Sequence, residues 1–256
     1  MIDRAALLEA IRGLPVYDSH EHLCAENLAV QSPPDFFDLL IPYVCDDLVS
    51  AGMAVDQFKR LLHKSAAFSD RWGLLKPHLD FVRCGTCFDA VRRSLNALGA
   101  AEVSEQAACS ASEQMRLNCF DGYYRREFER LGIVGCDVLM EDYRLAEGYD
   151  PELFRRIPTV SRFCPTCPQD VARLSVEFGV DAGALSGLEQ SLDALFSRYA
   201  QAGVHAIKLG SAYARSMDFG VPDRAAAQAA LDCVVKGFTV ESDARQIDPK
   251  PLGFEA

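Results

Sequence analysis

The sequence predicts an α/β fold in which about four parallel strands carry a large helical insertion after the first strand. Two observations support this fold class. Residues 23–132 are dominated by amphipathic helical patterns, whereas short apolar segments alternate with helical segments from residue 133 onward. Such alternation is typical of parallel sheets in which helices connect successive strands.

The individual elements follow from local patterns. A helix is expected over 3–12 with Asp3 as its N-cap, because an acidic residue precedes an apolar-periodic segment. The third strand is the weakest, since Pro158 cannot donate a hydrogen bond to a ladder. The four strands are expected at 14–19, 133–140, 156–163 and 204–210.

These elements predict a single domain over residues 1–256. Its parts are the insertion at about 23–132, strands two to four with their helices at about 133–236, and an irregular tail at 237–256. Four strands are too few for a closed barrel, which needs eight. The sequence therefore predicts an incomplete parallel sheet.

Two histidines, His20 and His22, follow the first apolar segment in the pattern His-x-His. Alternate side chains on a strand share a face, so both imidazoles are expected on one side. Two imidazoles at a strand end can chelate a divalent metal, for which zinc is the first candidate. The alternative is a pair of polar residues at a loop entrance. Asp18 has the same parity, and it either orients His20 or caps the strand end.

The segment Asp18-x-His20-x-His22-Leu23 resembles the first barrel strand of the amidohydrolase superfamily. It is most similar to the amidohydrolase-related branch, which includes metal-dependent decarboxylases and is distantly related to uronate isomerases. Further similarity lies in segments 36–40, 47–53, 72–78 and 206–215. The resemblance implies a partial (β/α)8 TIM-like barrel, of which this chain is the N-terminal half. In such barrels the active site lies at the carboxyl ends of the strands.

The same resemblance implies roles for individual residues. His20 and His22 would be metal ligands, and Lys208 would either bind a substrate anion or carry a carboxylate that bridges two metals. Lys208 shares its face with small residues, which suits a barrel interior; the alternative is a lysine that reaches solvent. Tyr213 and Arg215 would bind a substrate carboxylate, which arginine pairs with in a bidentate manner. The family's remaining ligands, on strands five, six and eight, have no counterpart here.

These observations predict a metal-dependent hydrolase of the amidohydrolase type, in which this chain lacks half of the site and has little activity alone. Three alternatives remain: a non-catalytic remnant, a metal-binding half-barrel that needs a partner chain, and a decarboxylase or uronate-isomerase-like enzyme. The expected ligand is a small molecule. The expected protein partner is a C-terminal half-barrel or a further copy of the chain.

Composition excludes several function classes. The formal net charge of −11 argues against nucleic acid and against an anionic membrane surface, because both attract basic proteins. The apolar segments are too short for a transmembrane helix, and the N-terminus lacks the features of a signal peptide. We therefore expect a cytoplasmic protein whose ten cysteines are reduced thiols.

Overall fold

The structure is a computed structural model that describes residues 3–41, 43–100, 102–213, 216–218, 220–221 and 223–237. The described residues divide into two compact units. The sheet unit contains residues 3–23 and 127–237, and the helical unit contains residues 24–126. The helical unit follows the first strand directly, at the position that the sequence predicts for the insertion.

The helical unit consists of short helices. In the chain it follows α1 (Arg4–Arg12) and β1 (Val16–Glu21), which belong to the sheet unit. Its α-helices are α2 (Glu26–Gln31), α3 (Val44–Ser50), α4 (Val55–Leu62), α5 (Phe68–Leu75), α6 (Leu79–Val82), α7 (Thr86–Ala97) and α8 (Glu105–Asn118). Two 3-10 helices lie at Phe36–Leu40 and Lys76–His78, and α9 (Tyr123–Leu131) leads from this unit into the sheet.

Aromatic side chains form the centre of the helical unit. Phe36 and Phe37 are fully buried, and the ring of Phe36 lies 5.8 Å from that of Trp72. Asp35 begins the 3-10 helix, where its carboxylate accepts a hydrogen bond from the backbone N–H of Phe37 at 2.9 Å. Burial of these rings supplies the apolar stabilisation that short helices need, since each helix is too short to be stable alone.

The sheet unit contains three parallel strands in the order β1-β2-β3. Its elements are α1 (Arg4–Arg12), β1 (Val16–Glu21), β2 (Ile133–Leu139), β3 (Phe154–Ile157), a 3-10 helix at Val160–Phe163, α10 (Pro168–Phe178), α11 (Leu185–Gln201), a 3-10 helix at Ser211–Tyr213, and α12 (Arg224–Val235). The predicted fold class is confirmed: a partial parallel α/β barrel with a large helical insertion after its first strand.

The third and fourth predicted strands are shorter than expected. β3 ends before Pro158, and the chain then forms a 3-10 helix where the pattern predicts strand. Residues 204–210 make a single parallel bridge, between Lys208 and Thr159. In that bridge Lys208 N–H donates to Pro158 O at 2.9 Å, and Val160 N–H donates to Lys208 O at 3.0 Å. The segment therefore lies beside β3 in the position of a fourth strand, although only one residue of it is paired.

Polar caps begin the first and last described helices, and the cap at Asp3 is the one that the sequence predicts. Asp3 accepts a hydrogen bond from Ala5 N–H, and Asp223 accepts from the N–H groups of Ala225 and Ala226. These carboxylates satisfy donors that a helix leaves without partners in its first turn. Across the described ranges, no helix has the length and apolarity required to cross a bilayer.

Candidate functional site

The candidate site lies at the carboxyl ends of the parallel strands. His20 and His22 are at the end of β1, and Glu141 follows β2 after one intervening residue. Lys208 lies beside β3 through its bridge to Thr159. Because all these strands run in the same direction, their carboxyl ends meet at one edge of the sheet.

The two histidines project close to one another. Their ring centroids are 5.2 Å apart with an interplanar angle of 64°, and both residues are exposed. The pairing of β1 with β2 shifts register between Asp18 and Glu21. A register shift of this kind re-aims side chains at the end of a strand. The two imidazoles therefore lie in one small area, as the His-x-His spacing predicts.

The acidic neighbours of the histidines bind backbone groups. Asp18 accepts a hydrogen bond from His20 N–H at 3.2 Å, and Glu21 accepts one from His22 N–H at 3.4 Å. Of the two predicted roles for Asp18, the structure shows a cap of the strand end. Burial raises the pKa of Glu21, and the nearby Asp18 carboxylate raises it further. Neighbouring carboxyl groups favour protonation of one of them.

Lys208 is one of the charged groups that act on His22. Partial desolvation lowers the pKa of His22, the positive charge of Lys208 lowers it further, and His20 adds to the effect, whereas Glu141 opposes it. If Lys208 faces the barrel interior, the alternation of side chains predicts that Ile207 and Leu209 face the helices. They are 40% and 54% exposed, so the described helices cover them only in part.

This arrangement predicts the titration of His22. We expect Lys208→Gln to raise the pKa of His22, since the substitution removes a positive charge that disfavours the imidazolium ion. Glu141→Gln is expected to lower it. NMR titration of the imidazole signals measures both shifts, with Lys236→Gln as the control. A His22 pKa that does not respond to Lys208→Gln would place the ammonium elsewhere.

The other predicted binding residues are less well defined by the structure. Tyr213 ends the 3-10 helix that follows the fourth segment, and its side chain is 71% exposed. Arg215 lies outside the described residues. Glu141 was missed by sequence reasoning, although one signal was available: it directly follows the apolar segment 133–140 that predicts β2, as His20 directly follows the segment 14–19 that predicts β1.

A second polar cluster lies along the strands themselves. Tyr17 Oη donates a hydrogen bond to Asp137 Oδ1 at 2.5 Å, and His205 Nε2 lies 3.3 Å from the same oxygen. The guanidinium carbon of Arg155 is 5.4 Å from the centroid of the Tyr17 ring. Burial, together with the hydrogen bond and the charge of Asp137, raises the pKa of Tyr17 to about 12. These contacts join β1, β2, β3 and the fourth segment on one face of the sheet.

The residues that could hold a metal are few. Within the described parts of the chain, no group of three or more histidine, cysteine, aspartate or glutamate side chains is arranged to bind an ion. Asp18 and Glu21, the carboxylates that flank the histidines in sequence, accept hydrogen bonds from backbone N–H groups. The prediction of a metal-binding chain is therefore contradicted for these residues taken alone.

Comparison with solved structures relates this fold to sugar-acid isomerases. The chain is similar to uronate isomerase from Thermotoga maritima, with a TM-score of 0.68, 15% identity, and coverage of 95% of this chain and 57% of that one. It is also similar to glucuronate isomerase from Caulobacter crescentus, with a TM-score of 0.64, 18% identity, and coverage of 91% and 52%. The chain spans just over half the length of both. No family model and no curated protein matches the sequence.

These comparisons correct the prediction made from the His-x-His motif. The similar structures are isomerases, so the assignment to amidohydrolase-type hydrolases is wrong. The motif misled because it specifies two imidazoles on a strand end, which many barrel enzymes can use, and it carries no information about the reaction. The likeness establishes a shared fold, and any activity has to be argued from the site.

Proposed function

We propose that this chain supplies part of the active site of an enzyme that isomerises a sugar acid. The observation that supports the proposal is a fold likeness to uronate isomerase over 95% of the chain, with basic side chains gathered at the functional edge of the sheet. The chain accounts for about half of such an enzyme, so the complete site requires residues beyond those described here.

The chemistry of a uronate fits this edge of the sheet. A uronate carries a carboxylate at neutral pH, and the Lys208 ammonium offers it a positive charge close to the histidines. Tyr213 and Arg215 follow in the chain and are proposed to bind the same carboxylate. In this arrangement the acid group is held at Lys208, which leaves the sugar carbons to face the imidazoles.

The histidines are suited to proton transfer. Isomerisation that moves a carbonyl group to the neighbouring carbon takes a proton from one atom and returns it to another. A low pKa keeps His22 neutral near pH 7, so its ring nitrogen can accept a proton. We assign this role to His22, with His20 beside it as a second group able to hold a proton or contact a hydroxyl.

A divalent metal, with zinc as the first candidate, remains a prediction. If such an ion is bound, His20 and His22 would be two of its donors, because neutral imidazoles are good ligands for such ions. This is an alternative to proton transfer by His22, since coordination uses the lone pair that would otherwise accept the proton. A catalytic ion generally has three or more protein ligands, so further donors would have to come from residues outside the described ranges. The ion would polarise the carbonyl oxygen of the substrate.

Binding of glucuronate tests the proposal. We expect glucuronate to shift the NMR signals of His20 and His22, whereas uncharged glucose does not. Lys208→Gln is expected to weaken glucuronate binding by about tenfold, which is equivalent to about 1.4 kcal/mol. Lys236→Gln is the matched control, because it removes an equal charge at the end of α12. Equal responses to both sugars, or equal binding by both variants, would contradict the assignment.

A further inference from the structure

Both outer edges of the sheet lack a strand partner among the described residues. β1 pairs with β2 on one side only. At the other edge Lys208 uses its backbone N–H and C=O to bond with the β3 side. Successive residues of a strand direct these groups to opposite sides, so Ile207 and Leu209 direct theirs away from the sheet. Open edges of this kind are templates for pairing with another chain.

Apolar side chains are exposed along both edges. At the first edge Leu14 and Val16 are 61% and 47% exposed, and at the other edge Ile207 and Leu209 are similarly exposed. α1, which precedes β1, buries none of its residues, although its leucines and isoleucine form an apolar stripe. Isolated apolar residues on a surface are ordinary, but a stripe next to an open strand edge indicates an interface.

The two edges are complementary to each other. All strands of a parallel sheet run in the same direction, so the first strand of a second copy can add to the free edge of the last strand as a further parallel strand. Their charges also differ, since β1 contains the carboxylate of Asp18 whereas the fourth segment contains the ammonium of Lys208. Complementary charges favour association of the two edges in one orientation.

We propose that two copies of this chain associate edge to edge, with β1 of one copy beside residues 204–210 of the other. The contact is made twice, so a two-fold axis closes the assembly and leaves no free edge. Four strand positions from each copy give eight, the number that closes a (β/α)8 barrel. The mouth of that barrel then contains His20, His22 and Lys208 from both copies. This proposal does not depend on the isomerase assignment.

Size-exclusion chromatography with light scattering tests the proposal on the 256-residue chain. We expect the mass of a dimer. Leu209→Pro is expected to weaken the dimer by about tenfold, because proline removes the N–H that would bond to the partner edge. Val176→Asp is the control, since Val176 is also exposed but lies on α10, away from both edges. A monomer, or a dimer that Leu209→Pro leaves unchanged, would overturn the proposal.

A charge exchange shows whether the two edges meet. Ser19→Asp, near the carboxyl end of β1, and Leu209→Lys, near the carboxyl end of the fourth segment, are each expected to give monomers, because each places an unpaired charge in the interface. Circular dichroism verifies that both variants remain folded. Mixing the two is expected to restore a dimer, in which one interface is unaltered and the other pairs aspartate with lysine. The proposal is overturned if mixing does not restore the dimer, or if the chain associates only with an added polypeptide that carries further strands. The open edges of the sheet would then not pair with a second copy of this chain.

Discussion

Replacing Arg71 with methionine is expected to lower the free energy of unfolding of the helical unit by about 3–5 kcal/mol. Arg71 is 3% exposed, and its guanidinium makes a bidentate pair with Asp35, at 2.6 and 3.1 Å. Its Nε donates to the carbonyl of Leu61 at 2.5 Å, and the group stacks over the ring of Phe37 at 4.0 Å. The substitution leaves the Asp35 carboxylate, whose side chain is only 17% exposed, without its cation, which costs far more than the pair itself contributes.

Urea unfolding followed by circular dichroism measures this effect. Arg83→Met is the matched control, because the pair of Arg83 and Asp80 is largely exposed and is expected to contribute less than about 1 kcal/mol. Arg71→Lys is expected to recover little of the loss, since a lysine cannot reproduce the bidentate geometry. Arg71→Met and Arg83→Met variants that unfold at the same urea concentration would contradict the prediction.

Replacing Gly187 with alanine is expected to destabilise the sheet unit by about 1–3 kcal/mol or more. Gly187 lies in the first turn of α11, where an added Cβ would be 1.9 Å from the carbonyl oxygen of Asp181. That oxygen belongs to the backbone of a tight turn and accepts a hydrogen bond from Ala184 N–H at 3.1 Å. The clash can be relieved only by moving the turn or the start of the helix.

Gly73→Ala gives the opposite expectation for the same chemical change. Gly73 lies inside α5, and an added Cβ would meet no atom within 4 Å apart from its own helix and chain neighbours. Alanine restricts the unfolded chain more than glycine does, so this variant is expected to gain about 0.5–1 kcal/mol. Thermal unfolding of the two variants measures the difference. A Gly187→Ala variant as stable as the original chain would show that the turn at Asp181 yields at little cost.

The features that sequence predicted correctly are those fixed by local patterns. Asp3 caps α1, and the apolar segment after residue 133 forms β2, because each depends on residues within a few positions. The pairing of Arg71 with Asp35 spans 36 positions, and no local pattern specifies it. Residues 204–210 have the composition of a strand, but a strand forms only where a partner supplies hydrogen bonds. The residues that follow β3, Pro158 and Val160, supply them to Lys208 alone.

In the candidate site, too, the features set by local spacing were predicted and those set by distant residues were not. The spacing of His20 and His22 predicted their proximity, because side chains two residues apart on one strand lie close together whatever the rest of the fold does. The effect of Glu141 on the pKa of His22 depends on the order and direction of the strands, which the sequence indicated only in outline. The reaction could not be predicted from the motif, because its remaining partners are not local to it.

The register shift in β1 separates the strand into two parts that can change independently. Tyr17 and Asp18 pair in continuous register with β2, after a first shift between Val16 and Tyr17. His20 lies within the second shift, between Asp18 and Glu21, and His22 lies beyond it. A residue inserted or deleted between Asp18 and Glu21 would change the direction of the imidazoles without moving the part of the strand that pairs before Ser19. Variation in chain length at Ser19 therefore offers a route by which related proteins can redirect the mouth of the sheet while the underlying fold is preserved.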